Sequence, residues 1–230
     1  MTGESSAQFE KMSSEEIDQV VGAIGEFTST HPREALKEIT GLQIARGGVE
    51  EQLSNRKPPK EIAPDAEIIA IDECLGLYNP RRKQIVLFQR GIAAAANILK
   101  CEADDLQHVV RYHEWGHAIL HAGVDRDGRE CDLRNYSRID ERVHESLAQL
   151  LAWRAIEQNL ENSRNPRVQR RWQRIRDIFT ALETRQPLAY RGWRRLVKVP
   201  LPKLQKILIL IRKGARFGEW EGLSTVAELE

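Results

Sequence analysis

The sequence predicts an α+β fold that is mainly helical, with a small β-sheet or hairpin placed before a long central helix and a basic helical part at the C-terminal end. Three observations carry this. Short β-prone runs broken by turn residues are confined to residues 67–89. Apolar residues at spacings of three and four dominate on both sides of that region. Beyond residue 160 the helical spacing persists, but the charge turns strongly positive.

Taken in order, residues 1–12 are polar and read as a disordered lead-in. Ser13 and Glu16 form a capping box, and Ile17, Val20, Val21 and Ile24 follow at helical spacing. A short helix is expected from Pro32, a residue suited to a first helical turn, to Gly41, which stops it. "NRKPPKEIAPDA" is a proline-rich loop. "EIIAID", "CLGLYN" and "KQIVLFQ" are β-prone, and "YNPRRKQ" joins the last two as a hairpin. "RGIAAAANILK" returns to helix, and a long helix follows, capped near Asp104 and Asp105 and ended by Gly123. Ser137 with Asp140 is expected to cap another helix running to about Asn159. Prolines 166, 187, 200 and 202 divide the rest into basic helices.

A chain of 230 residues can bury one sizeable core, and 30% charged with 41% hydrophobic residues is an ordinary globular balance. The longest aliphatic run, residues 207–211, is far too short to span a bilayer. The polar, acidic start "MTGESSAQFEKMSSEE" lacks the apolar core of a secretory signal. Cys74, Cys101 and Cys131 form no CxxC pair, which argues against a disulfide framework and for a reducing, cytoplasmic setting. The net charge of +1 conceals an asymmetry. Residues 161–218 hold sixteen Lys/Arg against three Asp/Glu, the last twelve residues hold four glutamates, and residues 1–160 therefore carry a net −8.

The chemistry lies in "VVRYHEWGHAILH". On a helix, His113 and His117 project from nearly one side and can offer two imidazole nitrogens to one ion at about 2.0–2.1 Å. Glu114 is turned about 100° from His113, so it flanks the ion where a general base for water is wanted. A catalytic zinc site needs a third protein ligand and an open fourth position. His121, one turn further along, is displaced along the axis and reads as a hydrogen-bonding histidine. The next helix offers Glu141 and Glu145, which share a sector about 80° wide with Ala148, Ala152 and Ala155. Small alanines there let the two helices lie close while a glutamate reaches across. Helical geometry alone leaves either glutamate as the ligand.

"HEWGHAILH" followed by "ESLAQLLAW" resembles the gluzincin metallopeptidases, and within them is most similar to the small ImmA/IrrE-type peptidases with HExxHxxxH and then ExxAxxxA. "GLYNPRRKQIVLF" also resembles the strand those proteins place before the active helix, so the likeness spans about residues 70–155. The resemblance implies a zincin-like metallopeptidase domain, placed over residues 13–160, and the shift in charge marks residues 161–230 as a basic helical subdomain expected to pack on it. The resemblance implies zinc (Zn2+) held by His113, His117 and Glu145, with Glu141 the runner-up. The implied reaction is peptide-bond hydrolysis by a water that zinc acidifies and Glu114 deprotonates. Gln149 departs from the residue the family carries after the alanine. The DNA-binding or sensor domains of some relatives are not recognisable here.

Smaller features complete the reading. Tyr136, His144 and Tyr190 are candidate oxyanion stabilisers, and Asp140 is a candidate second partner for an imidazole. "KQIVLFQ" offers a strand beside which a peptide or protein substrate can pair. In the basic segment, arginines interleave with Trp172, Trp193 and Tyr190, a pattern compatible with nucleic acid. The favoured reading is instead amphipathic helices with Trp172, Ile175, Ile178 and Phe179 in the core and arginines on the solvated face. The competing function is a non-catalytic, metal-containing regulatory or interaction protein.

Overall fold

The computed structural model describes residues 31–214. The expected lead-in, the capping box at Ser13 and Glu16, and the acidic last twelve residues lie outside the described residues. Within them, helix α1 (Pro32–Thr40) runs as the sequence predicts, with proline in its first turn and Gly41 in the left-handed conformation (φ 69°) after its last.

Three strands, β1 (Glu50–Ser54), β2 (Gly76–Asn79) and β3 (Gln84–Phe88), form one sheet in the order β1-β3-β2. β2 and β3 pair antiparallel as the expected hairpin, and β1 runs parallel to β3. Two expectations fail here. "EIIAID" is not a strand; within it only Asp72 makes an isolated bridge, to Gly76, and Ile69 and Ile71 simply plug the core. "KQIVLFQ" is the middle strand, hydrogen-bonded on both sides, so it has no free edge to offer a peptide. The strand that flanks it in place of a substrate is "EEQLS", too polar and too exposed to read as β from periodicity.

Six further helical elements follow: α2 (Gln89–Leu99), α3 (Ala103–Ala122), a short α4 (Leu133–Tyr136), α5 (Glu141–Asn162), α6 (Pro166–Thr184) and, after a 3₁₀ stretch over Leu188–Leu196, α7 (Leu201–Arg212). The expected caps shift by a few residues. α3 starts at Glu102, which makes no side-chain cap, and ends at Gly123 as expected. α5 is capped by Asp140, whose carboxylate accepts from the Arg142 N–H, while Ser137 closes α4.

α3 is the axis of the molecule. Its residues 112–122 are buried all round, so it reads as a core helix rather than an amphipathic surface one. One hydrophobic core runs from Leu36 and Ile39 through Val109, Leu147 and Leu150 to Trp172, Ile175 and Phe179, joining residues on both sides of position 160. The basic segment packs as its amphipathic reading expects, with Trp172, Ile175, Ile178, Phe179 and Trp193 buried. Several of its arginines meet acids of the chain itself: Arg171 and Arg174 hold the buried Asp105 at 2.8 and 3.1 Å, and Arg194 holds Glu183 at 2.5 Å. Among the described residues no helix is long and apolar enough to cross a membrane.

Candidate metal centre

Because α3 is regular through residue 117, His113 and His117 stack one turn apart with both rings buried. Their Nε2 atoms converge to 3.0 Å. At that distance one ring can donate an N–H to the other, and two neutral rings can equally turn both lone pairs onto one cation.

The third group arrives on α5. Gly116 lets that helix press against α3: a Cβ built on Gly116 would lie 3.0 Å from Ala148 Cα and 3.1 Å from its carbonyl oxygen. Ala148, Ala152 and Ala155 are all fully buried, as their small-residue sector anticipates. At this spacing Glu145 Oε2 sits 3.2 Å from His113 Nε2 and 3.6 Å from His117 Nε2. Glu141, the alternative left open by helical geometry, is exposed and stands outside this cluster, in the wall of the cleft that leads to it.

A fourth group joins that the sequence reading missed. Asp72 brings Oδ2 to 3.5 Å from His113 Nε2 and Oδ1 to 3.8 Å from His117 Nε2. Asp72, His113, His117 and Glu145 each offer a ligand atom, all within 4.8 Å of one another. Four ligands placed tetrahedrally at about 2.0–2.1 Å from an ion stand about 3.3 Å apart, and the five distances here, 3.0 to 3.8 Å, bracket that value. The residues present therefore fit a divalent ion. Nothing in "EIIAIDEC" marks Asp72 in advance, because an acid at the end of an aliphatic run reads as a turn residue.

The electrostatics agree with a site built for positive charge. Burial pushes the His113 imidazole toward its neutral form, but hydrogen bonds and charge from Asp72 and Glu145 outweigh this and raise its pKa to about 10. Burial pushes the Glu145 carboxyl up, yet the two imidazoles hold it well below the usual carboxylate range.

Glu114 is the outlier. It is fully buried, and neither carboxylate oxygen has a hydrogen bond of good geometry, although the Tyr78 backbone lies near enough to favour the charged form slightly. Desolvation, reinforced by the negative charge of Asp72, pushes its pKa far above the usual range. Room for it exists because β2 passes over α3 with a glycine: a Cβ on Gly76 would fall 2.6 Å from Glu114 Oε1 and 2.8 Å from Val110.

Around this core the remaining expected residues sort themselves. Tyr190 stacks on His113 with ring centroids 5.6 Å apart and donates its hydroxyl to Asp72 Oδ2 at 2.6 Å. His144 packs edge-on against both His117 and Tyr136, and burial lowers its pKa to about 3, so it stays neutral. His121 is a hydrogen-bonding histidine as read from the sequence, its Nδ1 paired with the Tyr78 hydroxyl at 2.8 Å. Asp140 does not support an imidazole, being committed to the α5 cap, and Nδ1 of both His113 and His117 is without a hydrogen-bond partner among the described residues. A cleft of about 320 Å³, walled in part by Tyr78, Tyr136, Glu141 and His144, opens onto Asp72, His117 and Glu145.

Protein-family models, curated proteins and solved structures all yield no match to this chain.

Proposed function

We propose that the chain is a zinc-dependent metallopeptidase of the gluzincin kind, in which His113, His117 and Glu145 hold the ion and Glu114 is the general base. The observation that carries this is Glu114. A buried carboxylate without a well-formed hydrogen bond costs on the order of 1–3 kcal/mol, and the Tyr78 backbone and the charge of His113 offset only part of it. Beside a cluster of ligand atoms, and with its proton affinity raised by burial, it has the properties wanted of a group that takes a proton from water and hands it to a leaving amine. Zinc would supply acidification of water and polarisation of the scissile carbonyl. Tyr136 and His144 line the approach from the cleft and are available to orient a peptide carbonyl.

The test is zinc content together with Glu114→Gln. The expectation is close to one zinc per chain in both proteins. Hydrolysis of a random peptide library, followed by mass spectrometry, should fall at least about 100-fold in the variant. Zinc well below one per chain in the unaltered protein removes the proposal.

A second reading, a metal-containing protein without catalysis, is favoured by one observation. Asp72 gives the ion four protein ligands, and closed sites of that kind are structural in most proteins. Under that reading Glu114→Gln leaves both metal and function untouched.

A further inference from the structure

Resting on the peptidase reading, we propose that Asp72 is a latch: its carboxylate fills the fourth position around the ion, Tyr190 holds it there, and hydrolysis runs at a small fraction of its full rate until that carboxylate is withdrawn. The four ligand groups are not equivalent in their attachment. His113 and His117 belong to the central helix and Glu145 to the helix locked against it, and their side chains are 0–10% exposed. Asp72 is 23% exposed, lies on neither helix, and faces the cleft. It is carried by residues 55–75, a stretch without helix or strand that contains Pro58, Pro59 and Pro64. Rotation of the Asp72 side chain toward the cleft therefore leaves both helices, and the buried Ile69 and Ile71 beside it, in place, whereas withdrawing any of the other three means unpacking the core.

The carboxylate is also held by something other than an ion. The Tyr190 hydroxyl donates to Asp72 Oδ2 at 2.6 Å and accepts from the Asp72 N–H at 3.4 Å. Further ties run the same way: the Ile69 N–H donates to the Arg185 carbonyl at 2.8 Å, and Arg185 Nη1 donates to the Ala66 carbonyl at 3.2 Å. The segment bearing Asp72 is thus fastened to the junction between α6 and the 3₁₀ stretch, and movement of that junction would carry Asp72 with it. A purely structural site has use for a fourth ligand but none for Glu114, buried next to it without a well-formed hydrogen bond. A latent peptidase has use for both.

The test does not depend on knowing the substrate. The full chain is loaded with Co2+, whose visible spectrum reports coordination, and titrated with azide as an external ligand. Azide should bind weakly to the unaltered protein and at least about tenfold more tightly to Asp72→Ala, with cobalt still near one per chain. Tyr190→Phe keeps all four ligand side chains and should move azide affinity in the same direction by less. It supplies the measurement if circular dichroism finds Asp72→Ala unfolded. Equal azide affinity in all three proteins overturns the latch and leaves the peptidase reading standing. Loss of all cobalt from folded Asp72→Ala makes Asp72 an indispensable structural ligand and also overturns the latch. Failure of the unaltered chain to bind cobalt removes the latch and the peptidase reading together.

Discussion

Gly116 on α3 and Ala148 on α5 bring the two helices that build the site into close contact, with only 3.0 Å between the place of a Gly116 Cβ and Ala148 Cα. The contact is backbone against side chain, so it can relax only by moving α5, and α5 carries Glu145. Gly116→Ala gains about 1 kcal/mol of helix propensity and loses about 1–3 kcal/mol to overpacking, so stability should fall by no more than about 2 kcal/mol. The ligand geometry tolerates less, since a shift of a few tenths of an ångström is enough to misplace Glu145. Zinc affinity, measured by competition with a chelator, should fall about tenfold or more. An unchanged affinity would mean that the helix spacing does not set the site.

Gly76 performs the same service for Glu114. A methyl group there would sit 2.6 Å from Glu114 Oε1 and 2.8 Å from Val110, and both lie in a packed interior. Gly76→Ala should therefore keep the metal, because β2 carries none of the four ligand groups, yet lose most peptide hydrolysis. A variant with normal zinc and normal hydrolysis would detach Glu114 from catalysis.

What the sequence disclosed and what it hid divide along physical lines. His113, Glu114 and His117 were legible because a helix converts spacing into direction, and α3 proved regular. The acidic group could be narrowed to Glu141 or Glu145 by the same rule, and Ala148 of the alanine sector does meet α3 at Gly116. Asp72 was illegible because no periodicity governs a chain without helix or strand; its place is fixed by contacts to Tyr190, 118 residues away. β1 escaped for a related reason: its pairing with β3 is parallel and long-range, and its outward residues Glu50, Gln52 and Leu53 are exposed, leaving no alternating pattern. Gly76 and Gly116 looked like ordinary glycines. Only the packed structure discloses that Gly76 makes room for Glu114 and that Gly116 makes room for the helix carrying Glu145.

Glu114 should also burden the metal-free protein. Its carboxyl is fully buried without a well-formed hydrogen bond and its pKa is raised, so the folded state must hold a proton that the unfolded chain releases above the ordinary glutamate range. Stability from this group is greatest in acid and declines as pH rises toward neutrality. Glu114→Gln removes the titrating group and should stabilise the metal-free protein at pH 7 by on the order of 1–3 kcal/mol. Chemical denaturation in the presence of a chelator measures it. A variant less stable than the parent would mean that Glu114 has a structural partner after all.

His108 gives the opposite pH dependence, far enough from the ligand cluster to be read separately. It sits on α3 against Trp172, with ring centroids 6.2 Å apart. Burial, followed by the positive charges of Arg171 and Arg111, lowers its pKa from 6.5 to about 4. Between those values the unfolded chain binds a proton that the folded chain refuses, so stability must rise with pH across the window. The contribution is fully present above about pH 6.5 and is lost as pH falls toward 4, by at most about 3 kcal/mol at 1.36 kcal/mol per pKa unit. Protonation of Glu145, whose carboxyl is held low by the two imidazoles, also weakens the fold in acid, and the two effects are separated by substitution. His108→Gln should flatten the part of the stability curve between pH 6.5 and 4 while leaving the more acidic limb in place. If parent and variant curves run parallel through that window, then His108 is not the group whose protonation loosens the packing of α6 on α3.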